Sequence, residues 1–191
     1  MKIGVGVEGP SDLNFWSKVL HRELSGCRFD IRNMKNRDKL IRETPKLFEQ
    51  FKDLHYDAGF ILVDRDRNPC VTSVYQEFDQ TVRQEARRQD GRCLFICVAV
   101  RELEAWFLAD ASAINSILPK VNYVAPPETG HAGTKTRIKE LLRQQHGPDF
   151  GYNEIFFAKQ IAPKFSPARA IQHSRSFRYF WERIAATARP A

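Results

Sequence analysis

The chain has 191 residues, 42% hydrophobic and 28% charged, with a formal net charge of +7. That composition excludes a disordered or fibrous chain, and no stretch approaches the ~20 consecutive apolar residues of a membrane-spanning helix. The basic excess is concentrated in residues 101–191, with 13 Lys/Arg against 8 Asp/Glu, and suits a polyanionic partner such as nucleic acid.

Residues 2–8 (KIGVGVE) read as a strand that ends in a turn at Gly9-Pro10. Ser11 is the expected N-cap of a helix from Asp12 to about Leu24, whose apolar stripe is Leu13, Trp16, Leu20 and Leu24. CRFDIRN, residues 27–33, alternates as a second strand. Residues 38–54 read as a helix disturbed by Pro45. AGFILVD, residues 58–64, is a continuous apolar run, the mark of a strand buried on both faces. Residues 71–88 read as one helix with Val74, Phe78 and Val82 inward, and residues 93–100 (CLFICVAV) as the fourth strand. The βαβαβαβ order predicts a Rossmann-like α/β domain over 1–110, a four-stranded parallel sheet with helices on both faces.

After residue 101 the alternation stops. Residues 102–118 read as a helical pair, 119–133 as a Pro/Gly-rich loop and 134–146 as a helix. A closing helix over 176–188 places Phe177, Trp181 and Ile184 on one face. The expectation for 111–191 is a helical extension packed on the sheet domain. Cys27, Cys70, Cys93 and Cys97 form no CxxC pair and read as reduced core thiols. Glycines and Glu8 interrupt the N-terminus before an apolar signal core forms, so a cytoplasmic protein without membrane contact is expected.

In an open parallel sheet, ligands bind beyond the carboxyl ends of the strands. Glu8 ends the first strand here, with Asp12 in the following helical turn, and Asp64 and Asp66 end the third in ILVDRDRN. In a 2-1-3-4 sheet these four acids converge on one crevice. Glu102, Glu104 and Asp110 follow the fourth strand, and Glu104 is the best placed to join them. Gathered carboxylates repel, and the usual compensation is a hard divalent cation. Four acids suffice for two magnesium ions at the ~4 Å spacing of in-line phosphodiester attack.

Glu8 in VEGPSD, the DRD after a buried strand, and RELEAWFLAD together resemble a Toprim domain. More narrowly they resemble the small Toprim-like proteins encoded beside ATPases in bacterial phage-defence loci, akin to OLD-type nucleases. The resemblance covers residues 1–110 and thins toward 180. It implies a nuclease that uses Mg2+, with Mn2+ as a substitute, to hydrolyse phosphodiester bonds in DNA or RNA. It places metal binding on Glu8, Asp12, Asp64, Asp66 and Glu104. The catalytic lysine it implies is Lys159, with Lys135 second, and Arg65, Arg67 and Arg101 would hold the phosphate backbone. An alternative on the same resemblance is a non-catalytic or partner-activated module that works with an ATPase.

Gly4-x-Gly6-x-x-Gly9 also fits a dinucleotide-binding fingerprint, with Asp30 near the position of a ribose-binding acid. Against this, only Met1 to Ile3 precede Gly4, Glu8 would repel a pyrophosphate, and Asp64, Asp66 and Glu104 are left without a role. Nucleotide binding is therefore the minor reading. The five histidines show no paired metal spacing.

Overall fold

A computed structural model describes residues 1–86, 93–128 and 133–188, apart from the Cys93 side chain. The elements run β1 (Lys2–Val7), α1 (Pro10–Glu23), β2 (Arg28–Asn33), α2 (Arg37–Asp53), β3 (Ala58–Asp64), α3 (Val71–Gln76), α4 (Gln80–Glu85) and β4 (Cys93–Ala99). Six helices follow: α5 (Glu104–Leu108), α6 (Ala111–Ile117), α7 (Thr134–His146), α8 (Glu154–Ile161), α9 (Pro167–Ala170) and α10 (Arg175–Ala188). The sheet order is β2-β1-β3-β4 and every pairing is parallel. The expected Rossmann-like α/β architecture is the one observed.

Side chains alternate across the sheet and build a core on each face. Ile3, Val5, Val7, Phe60 and Leu62 enter a cluster with α1, α5 and α10, whereas Ile61, Val63, Ile96 and Val98 face α2, α3 and α4. Gly4 and Gly6 lie on the α2 face inside β1. A Cβ at Gly4 would stand 2.4 Å from the Phe51 ring, and one at Gly6 2.9 Å from Leu47 and Ile61 side-chain atoms. These glycines let α2 lie close against the strand; they are not part of a phosphate-binding turn. Asp30, the acid of the dinucleotide reading, instead accepts from the Tyr56 hydroxyl at 2.5 Å and pairs with Arg32 at 2.9 Å.

Residues 111–188 share the first of these cores. Trp16 of α1 meets Trp106 edge-on at 5.7 Å, Trp106 stacks on Phe180 of α10 at 5.5 Å, and Phe165 and Phe177 close the group. The Trp106 indole N–H donates to Ser176 Oγ at 2.7 Å, which satisfies its polar edge within the cluster. Among the described residues no helix is long and apolar enough to cross a membrane.

Several expectations are corrected. The N-cap of α1 is Gly9, not Ser11: Pro10 occupies the first turn, where its missing N–H costs nothing, and the start moves back by two positions. The buried stripe is centred on Phe15, Trp16, Val19 and Leu20, with Leu13 and Leu24 only partly covered. Pro45 does not interrupt α2, which runs unbroken through it. The single helix expected over 71–88 is two, because the Asp79 carboxylate accepts from Thr81 N–H at 2.8 Å and restarts the helix there; residues 87–88 lie outside the described residues. Cys27 and Cys97 are buried thiols as expected, but Cys70 is exposed.

Asp110, the last of the three acids that follow the fourth strand, has a structural place. Fully buried, it accepts from Ala113 N–H at 3.1 Å, Ser166 N–H at 2.7 Å and the Arg169 guanidinium at 2.7 and 2.9 Å, joining the start of α6 to α9. Replacement by alanine leaves the Ala113 and Ser166 backbone donors and the Arg169 guanidinium without this acceptor. Asp110→Ala is expected to lower unfolding free energy by roughly 2–3 kcal/mol, read as a lower urea midpoint at unchanged slope.

Candidate active site

The acids meet at the carboxyl edge of β1, β3 and β4. Glu8 stands just beyond β1, and its Oε1 accepts from the Asp64 backbone N–H at 2.7 Å, which joins the tips of the two strands. Asp12, in the first turn of α1, turns back so that its Oδ2 accepts from Gly9 N–H at 3.0 Å, while Ser11 Oγ donates to Oδ1 at 3.3 Å. Its charge also sits at the positive end of a 14-residue helix.

The DRD segment is fastened to the end of β4. Arg65 N–H donates to Ala99 O at 2.9 Å and Asp66 N–H to Arg101 O at 2.7 Å. Asp66 and Arg101 both adopt left-handed backbone, with φ of 50° and 79°. An aspartate tolerates that region and an arginine pays for it, so the contact holds a strained pair in place. Asp66 itself is exposed, as is Arg67. Arg65 and Arg101 are half-buried, and the Arg65 Nε is buried without a hydrogen-bond partner among the described residues.

Glu104 opens α5 and is only 5% exposed. The Tyr152 hydroxyl donates to its Oε1 at 3.0 Å, and Lys135 Nζ stands 3.8 Å from the same oxygen. Lys135 also pairs with Glu154 at 2.9 Å. It lies in the first turn of α7, whose start is fixed by Glu102: Oε2 accepts from the Thr134 hydroxyl and, at 3.4 Å, from Lys135 N–H. Gly133 precedes the helix at a φ of 108°, which a side chain would strain. The structure thus brings Lys135 to the acids. Lys159 is exposed on α8, and no contact among the described residues ties its side chain to them.

The electrostatics record the crowding. Burial, with Asp12 and Asp66 nearby, lifts the Glu8 carboxyl from its ordinary 4.5 to about 7. Burial lifts Asp12 from 3.8 to about 6 and Glu104 from 4.5 to about 7, each against the pull of Lys135. Asp64 is raised well above the ordinary carboxylate range, first by desolvation and then by Glu8, Asp12, Glu104 and Asp66. For Lys135, desolvation works against the charged form, but Glu104 and Glu154 overcome it and hold the ammonium protonated. An all-oxygen set with excess negative charge suits a hard divalent cation in kind. In position it is not a closed cage: among the described residues no three His, Cys, Asp or Glu side chains are gathered tightly enough to hold an ion as they stand.

Four residues of the site were not picked out as site residues from the sequence. Arg37, at the start of α2, donates from Nε to the Asp64 carbonyl at 3.2 Å, lies 3.6 Å from Asp66 Oδ2, and forks onto Glu77 at 2.7 and 2.9 Å. Tyr152 and Glu154 come from a segment about 90 residues after the DRD run, and Thr134 meets Glu102 across the sheet edge. None carries a local signal, because each acts through a contact distant in sequence.

The fold and site define an α/β protein of Rossmann-like architecture with carboxylates at the carboxyl edge of its topological switch. Residues 7–185 match a family described as a domain of unknown function, DUF4276, and the chain belongs to that family. The matched span takes in both the sheet and the helices after residue 110. No curated protein and no solved structure shows significant similarity.

Three outcomes follow from this geometry. A carboxyl raised in the folded state contributes stability below its unfolded pKa and loses it as pH rises through the folded value. Thermal stability in chelator is therefore expected to fall between about pH 5 and pH 8 through Glu8, Asp12 and Glu104. Asp64→Asn, which removes the most crowded charge, should raise the melting temperature at pH 8 by a few degrees; a lower value at pH 8 would contradict the repulsion. Arg37→Lys keeps the charge but loses the fork to Glu77, and is expected to speed amide exchange at Asp66 relative to wild type.

Proposed function

We propose that the protein is a Mg2+-dependent, Toprim-type nuclease that hydrolyses phosphodiester bonds in DNA or RNA, in the manner of OLD-type effectors of phage defence. The observation that carries this reading is the convergence of Glu8, Asp12, Asp64, Asp66 and Glu104 at the carboxyl edge of a 2-1-3-4 parallel sheet, each of the first three and Glu104 held by burial and neighbours in a state that resists ionising without a cation.

These five carboxylates would hold one or two ions, drawn inward from their present positions. Bound there, magnesium, or manganese in its place, supplies Lewis acidity and a water acidic enough to attack phosphorus. Tyr152 keeps Glu104 oriented through its hydroxyl, and Arg37 keeps the DRD backbone in place. Lys135, released from Glu154, neutralises charge on the phosphate oxygens; its proximity to Glu104 favours it over Lys159 for this role. Arg65, Arg67 and Arg101, on the loops that carry the acids, hold the strand backbone through charge-assisted contacts.

A second reading has its own support. The acids are not gathered as they stand, and Lys135 is tied to Glu154. That arrangement fits a module that stays silent until a partner, such as an ATPase, engages it. Magnesium calorimetry on the isolated chain separates the two, because a silent module binds the ion weakly until its partner is added.

Purified protein with Mg2+ or Mn2+ is expected to cleave single- or double-stranded DNA or RNA, and Asp64→Ala and Glu8→Ala to reduce the rate by roughly a hundredfold or more. Wild type that cuts none of the four substrates, alone or with its ATPase partner, overturns the nuclease reading, as does cleavage unchanged in Asp64→Ala.

A further inference from the structure

Residues 150–157 border two places at once. Tyr152 and Glu154 engage Glu104 and Lys135 at the acids, whereas Gly151 and Asn153, their neighbours in the chain, line a separate cavity of about 330 Å³. Its floor is apolar, made by Ile117, Leu118, Leu142 and Phe157. Two aromatic rings at its wall are left in solvent, Phe150 at 39% and Phe156 at 57% exposure. Phe150 lies face to face with His146, centroids 4.3 Å apart and planes 24° from parallel. Neither ring belongs to the two buried cores, and both present apolar surface at the cavity.

Besides His146, the polar side chains at the cavity are two amides. Asn153 spends its Oδ1 on the Phe156 N–H at 2.9 Å, so its NH2 remains as a donor, and Gln160 contributes a second amide. Cations are near these residues in the chain: Lys159 follows Phe156 on α8 and Arg143 precedes His146 by one turn of α7, while Lys18 donates to the Lys159 carbonyl at 3.3 Å. Asp149 is the acid nearest Phe150 in sequence and stands against them. The volume is at the small end of ligand pockets and suits one planar ring system rather than a peptide segment.

Resting on the nuclease reading above, we propose that this cavity stacks an unpaired base of the substrate strand against Phe150 and Phe156, with Asn153 and Gln160 meeting its edge, so that the substrate class is single-stranded nucleic acid. A paired base has both faces covered and its edge engaged, and cannot stack on these rings without leaving its own stack. Aromatic stacking of this kind is sequence-tolerant, because every base presents a π-face. The nearby cations hold the neighbouring phosphates and make binding salt-dependent. Lys159, which the sequence brings forward as a catalytic lysine, acts here on the path of the strand.

The test measures binding apart from cleavage. Fluorescence anisotropy in EDTA, with a labelled single-stranded oligonucleotide, the matching duplex and an abasic phosphodeoxyribose strand of equal length, reads the base contribution directly. Wild type is expected to favour the single strand over both others. Phe156→Ala and Phe150→Ala should weaken single-strand binding by about tenfold and leave abasic binding unchanged, while Phe156→Trp retains it. Both rings are exposed, and an unchanged melting temperature identifies the effect as local. Equal affinity for the abasic strand, preference for duplex, or single-strand binding unaffected in Phe156→Ala overturns the inference. Base-dependent binding in a protein that cuts nothing under Mg2+ leaves the slot standing and removes only the nuclease reading.

Discussion

Five carboxylates share one sheet edge, and their mutual repulsion is the constraint that the rest of this structure answers. Charges that crowd each other move apart unless their backbones are fixed. Here four of the five are fixed by a direct hydrogen bond. Glu8 is held by the Asp64 N–H, Asp12 by the Gly9 N–H, Asp66 through its own N–H to the Arg101 carbonyl, and Glu104 by the Tyr152 hydroxyl. Behind these contacts stand two cores, one on each face of the sheet, so relaxation at the edge would require repacking Phe60, Ile61 and their neighbours. Close-packed interiors yield little to such a push.

The helices after residue 110 are part of that answer rather than an appendage to it. They contribute Lys135, the cation nearest the buried Glu104, and Tyr152, which orients it. They also supply Phe165, Phe177 and Phe180 to the aromatic group around Trp16 and Trp106. Glu128 binds the start of α10 to the same body, accepting from Ser174 Oγ at 2.6 Å and Ser176 N–H at 3.0 Å. An isolated sheet domain would expose the apolar face of α1 and leave Glu104 without its partners.

What the sequence makes legible is what local pattern encodes. Continuous apolar runs announce β3 and β4, and acids placed directly after buried strands announce Glu8, Asp64, Asp66 and Glu104. Parallel order follows from alternation, because a crossover helix must lie between neighbours. The misses have physical reasons too. Ser11 outranks Gly9 as a cap by side chain, but Pro10 decides the position. Asp79 carries a capping signal in the middle of an otherwise helical pattern. Arg37, Thr134, Tyr152 and Glu154 act on groups far along the chain from their own local pattern, and periodicity says nothing about which surface residue a fold will deliver to a given place. The exposed thiol of Cys70 illustrates the converse, since its residue type favours burial and its place at the head of a short surface helix decides otherwise.

Gly4 and Gly6 carry a consequence beyond their strand. By letting α2 settle against β1, they fix the depth at which its first turn meets the sheet edge, and that turn presents Arg37 to the Asp64 carbonyl. Two residues with no side chain and no chemistry thus act as spacers for the carboxylate edge. In a saturation screen they would score with the acids, and the glycine spacing that imitates a nucleotide-binding signature would be mistaken for a recognition element when its meaning is a clearance of a few ångströms.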